Sequence, residues 1–341
     1  MLQLRIEAIK WELPDTATFF LTEVSGKRIA YKAGQFITLV FTHRSEEIRR
    51  SYSLSSSPDE DLLAVTVKRQ ANGEISRFML TKLKIGDILN AVEPAGRFTA
   101  SNYQAEKDIF FFAAGSGITP ILSQLKHILN RKGDSKLILV YSSRDYAVLF
   151  KTELDALAIA YPRRLQIIYL LSSAANRLNN LKVEQLVKDG IQFGLNDAEF
   201  YICGPFPYMR MVRLTLLYIG ADPEKIRKEN FVIETVAVAG NLINYPPGKV
   251  KIHFNGEVHD IATGENQTIL QAALQNKVQL PYSCRVGSCS TCAAICKSGK
   301  VVMSANEVLT DSDLAQGWVL TCTGHVVSED TVIEYSKLLA S

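Results

Sequence analysis

The sequence predicts three successive domains: a small antiparallel β-barrel, a doubly wound α/β domain on a parallel sheet, and a compact α+β domain folded around a cysteine loop. Three observations predict them. Residues 1 to 100 run as short alternating segments broken by Gly26, Gly34, Pro58 and Gly73. From Asp108 onward, strand-like and helix-like segments alternate. Toward the end, PYSCRVGSCSTC brings Cys284, Cys289 and Cys292 together as C-x4-C-x2-C, and Cys322 follows in VLTCTGH.

Length and composition agree with this division. A chain of 341 residues exceeds one small core. It is 47% apolar and 21% charged, as soluble globular chains are. A net charge of +3 is too small to argue for a nucleic-acid partner. No apolar run reaches the roughly 18 residues of a membrane span; the longest, Ile109 to Ala114, suits a buried strand. The start, MLQLRIEAIKWEL, alternates like a strand and carries charges, so no signal peptide is expected. Six cysteines are too few for a disulfide scaffold. The expected compartment is the cytoplasm, where thiols stay reduced.

In the first domain, expected over 1–103, strands are predicted at LQLRIEAIKWEL, ATFFLTEV, QFITLVF, RRSYSLSSS and LLAVTVKRQ, with one helix from Ser76 to Leu83. Within RRSYSLSSSP, Arg50 and Tyr52 should share one face of a strand, and Ser51 and Ser53 the other. A guanidinium beside a row of hydroxyls suits a pyrophosphate, and a tyrosine ring suits stacking. In NGEISRF, Gly73 permits close backbone approach, and a helix starting near Glu74 aims its N–H groups at an anion.

The second domain, expected over 104–232, is read as strands at DIFFFAAG, KLILVYSS, LQIIYLLS and AEFYICG. Helices are expected over Thr119–Leu129 and Ala147–Ala160, near Leu181–Val187, and from Pro207. The first turn, AAGSGITP, places Gly115 and Gly117 where a backbone can approach a pyrophosphate at a helix N-terminus, with Thr119 and Pro120 opening that helix. The dinucleotide pattern G-x-G-x-x-G is incomplete because Pro120 takes the third glycine's place. Cys203, Gly204 and Pro205 fall at the carboxyl end of the fourth strand, where open α/β sheets bind ligands. Ser143 and Arg144 end the second strand; arginine there suits a 2′-phosphate, while the adjacent Asp145 would suit a ribose hydroxyl.

A linker is expected over 233–248. The stretch NFVIETVAVAGNLINYPPGKV begins strand-like and then loosens at Gly240 and Pro246-Pro247-Gly248. The third domain, 249–341, should hold a strand at KVKIHF, a helix near Thr268–Ala273 and the cysteine loop. Its Cys spacing is that of plant-type [2Fe–2S] ferredoxins, with the fourth ligand distant in sequence. Zinc sites usually show paired C-x2-C units, and the second pair is missing here. Cys296 lies outside this spacing and is expected to be a small buried residue. Arg285, inside the loop, would be solvated or face a partner.

Taken together, these motifs resemble the ferredoxin–NADP reductase family. Its flavin domain carries R-x-Y-S, here Arg50 to Ser53, then G-x-x-S, here Gly73 to Ser76. PAGRFTA matches its barrel end, G-x-G-x-T-P matches its nicotinamide turn, and C-G-P-x-x-M matches its last nicotinamide motif. The resemblance implies that Arg50 and Ser76 hold flavin phosphate, that Tyr52 packs on the flavin ring and that Ser53 bonds near its reactive edge. Ser51, Val67, Lys68, Gly73 and Ile75 would complete the flavin site. Gly115, Gly117, Thr119, Pro120, Ser143, Arg144, Cys203, Gly204 and Pro205 would hold the nicotinamide cofactor, with Ser53 and Cys203 at the reacting centre. Cys284, Cys289, Cys292 and Cys322 would hold the cluster in a β-grasp ferredoxin domain.

The domain order is similar to that of oxygenase reductases, the phenylacetyl-CoA epoxidase reductases above all. That implies an NAD(P)H:acceptor oxidoreductase with FAD, a [2Fe–2S] cluster and NADPH or NADH, serving an oxygenase component in phenylacetate or other aromatic degradation. Phthalate dioxygenase reductases share the order with FMN. Other readings are a reductase for a ring-hydroxylating dioxygenase, a desaturase or another acceptor, and a non-enzymatic iron–sulfur carrier.

Overall fold

The computed structural model describes residues 1–43, 46–100, 106–174, 176–231 and 244–335. The chain divides into two compact units, 1–232 and 233–341.

The first unit opens with a barrel. Its strands are β1 (Leu2–Leu13), β2 (Thr16–Glu23), β3 (Phe36–His43), β4 (Glu46–Ser53), β5 (Leu63–Lys68) and, after helix α1 (Glu74–Lys82), β6 (Ile88–Ala95). They are antiparallel in the order β4-β3-β6-β1-β2-β5, and a bridge between Leu54 and Val65 joins the two ends. Every second residue enters the core: Leu4 and Ile6, Phe19 and Leu21, Ile37 and Leu39, Val65 and Val67. The faces of β4 separate as its alternation requires. Arg50 and Tyr52 register with Leu39 and Ile37, and Ser51 and Ser53 with Thr38 and Phe36. Strand β6 is absent from the five expected ones. It alternates, with Leu89, Ala91 and Ala95 buried, but Glu93 and Pro94 hide the pattern. Its pairing with β1 and β3 is tertiary, and this pairing makes it a strand.

The rest of this unit is a five-stranded parallel sheet. It contains β7 (Asp108–Ala114), α2 (Ile118–Leu129), β8 (Lys136–Ser143), α3 (Lys151–Ala160), β9 (Leu165–Leu171), α4 (Asn180–Gly190), β10 (Glu199–Cys203), α5 (Phe206–Tyr218) and β11 (Ile226–Glu229). The order β11-β10-β7-β8-β9 reverses direction between β7 and β10, which makes the sheet doubly wound. Strand residues divide between two cores. Phe111, Ala113, Leu139, Tyr141 and Cys203 pack with α2 on one face. Phe110, Phe112, Ile138, Phe200 and Ile202 pack with α4 and α5 on the other. Burial on both faces is why these strands read as continuous apolar runs.

Two expectations change here. The helix expected from Ala147 starts at Lys151, because Phe150 takes a left-handed φ of 61° and Val148 to Phe150 are drawn into the core. A fifth strand occupies Ile226–Glu229, just before the strand-like stretch expected from Asn230; residues 232–243 of that stretch lie outside the described residues.

The second unit contains β12 (Gly248–Phe254), β13 (Glu257–Thr263), α6 (Ile269–Gln275), β14 (Ala293–Ser298), β15 (Val301–Met303), α7 (Asp311–Ala315), β16 (Trp318–Leu320), β17 (Gly324–Val326) and β18 (Thr331–Glu334). The mixed sheet β13-β12-β18-β14-β16 carries α6 against a core of Val250, Ile252, Ile269, Ala273, Leu320 and Ile333. Thr268 and Gln271 form a reciprocal capping box that starts α6. Cys296 is only half-buried, and its Sγ lies 3.2 Å from the Ser298 carbonyl oxygen. Strand β14 is bulged after it, between Cys296 and Ser298, which loosens packing there.

Candidate functional site: a cysteine loop and a flavin–nicotinamide junction

The loop from Tyr282 to Cys292 carries three of the four thiols expected to hold the cluster. Gly287 turns it at φ 77°, and a Cβ there would stand 2.7 Å from the Ala305 carbonyl oxygen, so only glycine fits. Arg285 also takes a left-handed φ of 61°, with its guanidinium 4.3 Å from the centre of the Tyr282 ring. Cys322 arrives from the turn between β16 and β17, where Thr321 Oγ1 donates to the Cys292 carbonyl at 3.1 Å.

The four sulfurs meet in a chain: Cys284 contacts Cys289 and Cys322, and Cys322 contacts Cys292. Sharing protons with Cys289 and then Cys322 pulls the Cys284 thiol below the ordinary range, while its bond to Cys284 pushes Cys289 above it. The Val286 N–H donates to Cys284 Sγ at 3.5 Å. Among the described residues, no three His, Cys, Asp or Glu side chains are disposed as ligands of a single ion. Four thiols in mutual contact, with a backbone N–H aimed at sulfur, fit an iron–sulfur cluster. Cys292 and Cys322 form the floor, and Cys284 and Cys289 the half-exposed lip.

In the first unit, the turn Gly115–Gly117 lies between β7 and α2, at the reversal point of the sheet. A Cβ on Gly117 would fall 2.2 Å from the Cys203 carbonyl oxygen, and one on Gly204 would fall 2.9 Å from Ala114 Cβ. The two glycines therefore let the turn and the end of β10 touch. Helix α2 has no side-chain cap; the Ile118 N–H turns back to the Gly115 and Ser116 carbonyls, and an anion would meet the N–H groups that follow it. Thr119 Oγ1 turns back to the Ser116 carbonyl at 3.0 Å, and Pro120 is buried in the first turn. Pro205 caps α5. These residues fit a dinucleotide. Ser143 and Arg144 lie farther along the same edge. Asp145 Oδ1 accepts from Ala147 N–H at 3.0 Å, which closes a local turn. The Arg144 guanidinium makes no hydrogen bond or ion pair with a described residue.

The barrel carries the residues expected at the flavin. Arg50 is exposed, and Nη1 donates to its neighbour's carbonyl at 2.8 Å. Ser51 Oγ pairs with Thr38 Oγ1 at 2.9 Å. Tyr52 packs against the barrel core, and burial raises its phenol to about 12. Helix α1 starts from Gly73 with no side-chain cap, so its N–H groups are available to a phosphate. Ile75 is buried beneath them. Ser76 Oγ is occupied locally: it accepts from Gln70 N–H and donates to the Gly73 carbonyl, both at 3.1 Å. Val67 faces the barrel core, and Lys68 pairs with Asp15 at 3.7 Å, so near these two the main chain is what a ligand would meet. The uncapped helix and the exposed guanidinium fit a flavin pyrophosphate.

The two halves meet at a residue that motif reading missed. Ser53 Oγ donates to Glu229 Oε2 at 3.1 Å. Glu229 ends β11 and registers with Cys203 on β10. Burial pushes the Glu229 carboxyl up to about 8, although the Ser53 bond works the other way. Burial, then the charge of Glu229, pushes the Cys203 thiol well above its usual range. Glu229 lies in IRKE, a short charged stretch outside any recognised motif; a lone acidic residue there carries no signal until the sheet sets it beside Ser53. Helix α2 is also fastened to the barrel. Ser123 Oγ donates to the Ser56 carbonyl at 2.5 Å, Lys126 pairs with Glu60 at 3.0 Å, and Asp59 meets His127 at 2.7 Å and Arg131 at 3.0 Å.

Comparison with known proteins agrees with this division of labour. Residues 3–100 match the oxidoreductase FAD-binding domain, 111–214 the oxidoreductase NAD-binding domain and 252–327 the 2Fe-2S iron-sulfur cluster binding domain. The chain is 32% identical to the ferredoxin reductase component of 3-ketosteroid-9-alpha-monooxygenase from Rhodococcus rhodochrous, over 97% of this chain and 96% of that one. The chain belongs to the ferredoxin reductase components. This reductase is also 31% identical to a subunit of 1,2-phenylacetyl-CoA epoxidase from Escherichia coli K12, over 94% of the chain and 93% of the relative. In fold it is similar to phthalate dioxygenase reductase, with a TM-score of 0.61 at 24% identity over 98% of both chains. It also overlays 40% of an intact type IV self-sufficient cytochrome P450 monooxygenase, with a TM-score of 0.73 at 20% identity over 97% of this chain.

The reductase is therefore an oxidoreductase whose cofactors are FAD, a [2Fe–2S] cluster and a nicotinamide nucleotide. When bound, they carry electrons from NAD(P)H through FAD to the cluster, the flavin dividing a two-electron input into single-electron steps. The residues that would hold them are Arg50 and the α1 terminus on one side and the Gly115–Gly117 turn on the other, with the Ser53–Glu229 pair able to hold a proton between. No helix among the described residues is long and apolar enough to cross a membrane.

Proposed function

We propose that the reductase takes electrons from NADPH and delivers them singly to an oxygenase component acting on an aromatic substrate such as phenylacetyl-CoA. The observation that carries the reading is the Ser53–Glu229–Cys203 junction, where the flavin strand of the barrel and the ligand edge of the parallel sheet share one buried carboxyl. NADPH rather than NADH is supported by the edge of β8. Asp145, the residue that could take a ribose hydroxyl, is closed into its own turn, and the Arg144 guanidinium beside it is unpaired among the described residues. A plant-type cluster lies at roughly −400 mV, low enough to reduce an oxygenase metal centre. The half-exposed Cys284 and Cys289 offer its exit.

Arg144→Ala should raise KM for NADPH about ten- to a hundredfold, the worth of a charge-assisted bond to phosphate, and leave KM for NADH nearly unchanged. A wild type that prefers NADH would overturn the NADPH reading. The acceptor is tested by reconstitution with the purified oxygenase component of phenylacetyl-CoA epoxidase. NADPH oxidation coupled to epoxide formation is expected; NADPH consumption without product would refute that acceptor. The ketosteroid monooxygenase relatives support a second reading, steroid ring hydroxylation, which the same assay tests with that oxygenase.

A further inference from the structure

Strand β4, which carries residues expected at the flavin, leads directly into a second contact. The chain runs on through Leu54, which bridges to Val65, into a turn over residues 55–61. This turn is held from within and from the barrel. Ser57 N–H donates to Glu60 Oε2 at 2.7 Å, and Asp59 N–H to Ser57 Oγ at 3.2 Å. Ser56 Oγ accepts from Ala64 N–H at 2.9 Å, and the Arg28 guanidinium donates to the Pro58 carbonyl at 2.7 Å.

The barrel grips α2 at two levels. Near the middle of the helix, Ser123 Oγ donates to the Ser56 carbonyl at 2.5 Å, and Gln124 Nε2 to the Phe98 carbonyl at 2.6 Å. At its C-terminal end, Asp59 Oδ2 meets His127 Nδ1 at 2.7 Å, and Asp59 Oδ1 accepts from Arg131 Nη2 at 3.0 Å. Lys126 pairs with Glu60 beside them at 3.0 Å. An ion pair on an open surface contributes little. Here the His127 and Asp59 side chains are only 14% and 28% exposed. Burial alone would raise the Asp59 carboxyl, yet the bond and charge of His127, with Ser57 and Arg131, hold it below its ordinary range.

Two levels matter because one would be a pivot. Helix α2 packs on the parallel sheet through Ile121, Leu125 and Ile128, so helix and sheet form one layer. At a helical rise of about 1.5 Å per residue, Ser123 lies about 7.5 Å along the axis from Ile118 and about 6 Å from His127. A layer held only near Ser123 would swing there. Each ångström of movement at His127 then appears as roughly 1.2 Å, reversed, at the helix end that follows the Gly115–Gly117 turn.

We propose that Asp59 is a positioning residue for hydride transfer from nicotinamide to flavin: it fastens the far end of α2 to the turn that continues the flavin strand, and so sets the distance between the glycine turn and Ser53. The proposal rests on the reading of β4 as the flavin strand and of the Gly115–Gly117 turn as the nicotinamide site. The transfer moves one hydrogen with two electrons from the reduced nicotinamide ring to the flavin ring. Its rate depends on how closely the rings are held, and a misplacement of 1 Å can cost about a hundredfold. Asp59 lies outside both expected cofactor sites, so it acts on rate and ring contact and not on affinity.

The FAD- and cluster-loaded reductase is tested by three measurements. These are flavin bleaching at saturating NADPH in stopped flow, the long-wavelength charge-transfer absorbance of reduced flavin with NADP+, and calorimetric titration with ADP-ribose. Asp59→Ala leaves the Lys126–Glu60 pair in place, so bleaching should slow about tenfold, short of the full hundredfold, and the absorbance band should weaken. The Kd for ADP-ribose should stay within about twofold of wild type. His127→Ala should act in the same sense, and the double variant should be no slower than Asp59→Ala, because both substitutions open one contact. His127→Ala also carries the test if Asp59→Ala does not fold. The proposal is overturned if folded Asp59→Ala bleaches at the wild-type rate with a wild-type band, whatever its melting temperature, or if its only change is weaker ADP-ribose binding. Gly117→Ala separates this role from the site it serves. If Gly117→Ala weakens ADP-ribose while Asp59→Ala is silent, the nicotinamide site stands and the positioning role falls. If both are silent in every measurement, the site reading falls as well.

Discussion

Glu229→Gln tests the junction most directly. The substitution keeps an oxygen that can accept from Ser53 Oγ but cannot ionise. In the wild type, burial raises the carboxyl from its ordinary 4.5 to about 8. The sign follows from which state keeps the proton. Below about pH 4.5 the carboxyl is protonated in both states, and its contribution to stability is full. As pH rises toward about 8, the unfolded chain sheds the proton while the fold retains it, so stability falls until the folded carboxyl also ionises. Each pH unit crossed in that window is worth about 1.4 kcal/mol. From about pH 6 to pH 9 the loss is then roughly 3 kcal/mol, and over the whole window about 5 kcal/mol. Glu229→Gln should remove this dependence and be the more stable protein above about pH 8. Turnover should change with it: the wild-type kcat should fall through an inflection near 8, because a buried anion at the expected flavin site would oppose electron delivery, and the variant should be flat. Urea titration followed by flavin release, across this pH range, reads the first effect; NADPH–ferricyanide kinetics read the second. A variant that keeps the wild-type inflection and the wild-type stability slope would show that Glu229 does not titrate in this window and that the junction has no proton role.

Cys322→Ser should lose the two irons by metal analysis yet keep NAD(P)H–ferricyanide turnover, since the flavin unit holds none of the four cluster thiols; loss of that turnover with flavin still bound would break the proposed electron order. Arg50→Ala should weaken FAD by up to about 1.5–3 kcal/mol as a charge-assisted bond, and by less where solvent screens it; unchanged flavin retention on dialysis would remove Arg50 from the site. Gly117→Ala should raise nicotinamide KM at least tenfold, because its Cβ would stand 2.2 Å from the backbone oxygen of Cys203 and must push the turn away from β10; wild-type kinetics in this variant would mean that the turn does not touch the cofactor.

Much of this reductase was legible in its sequence because the information is local. The ligand spacing C-x4-C-x2-C needs a tight loop, and that loop needs Gly287 at positive φ. The run DIFFFAA reads as a central parallel strand because both of its faces are buried. The motifs R-x-Y-S and G-x-G-x-T-P are runs of adjacent residues, a guanidinium among hydroxyls and a glycine turn opening a helix, so both can be read along the chain. What tertiary structure alone decided is where distant residues meet. Strand β6 exists because β1 and β3 flank it, and α3 starts late because the core draws Phe150 inward. Ser53 and Glu229, 176 residues apart, become partners when the carboxyl edge of the sheet docks on the barrel. The same burial that joins them raises the carboxyl to about 8. Desolvation depends on which atoms surround a group in space, and no spacing rule along the chain encodes it.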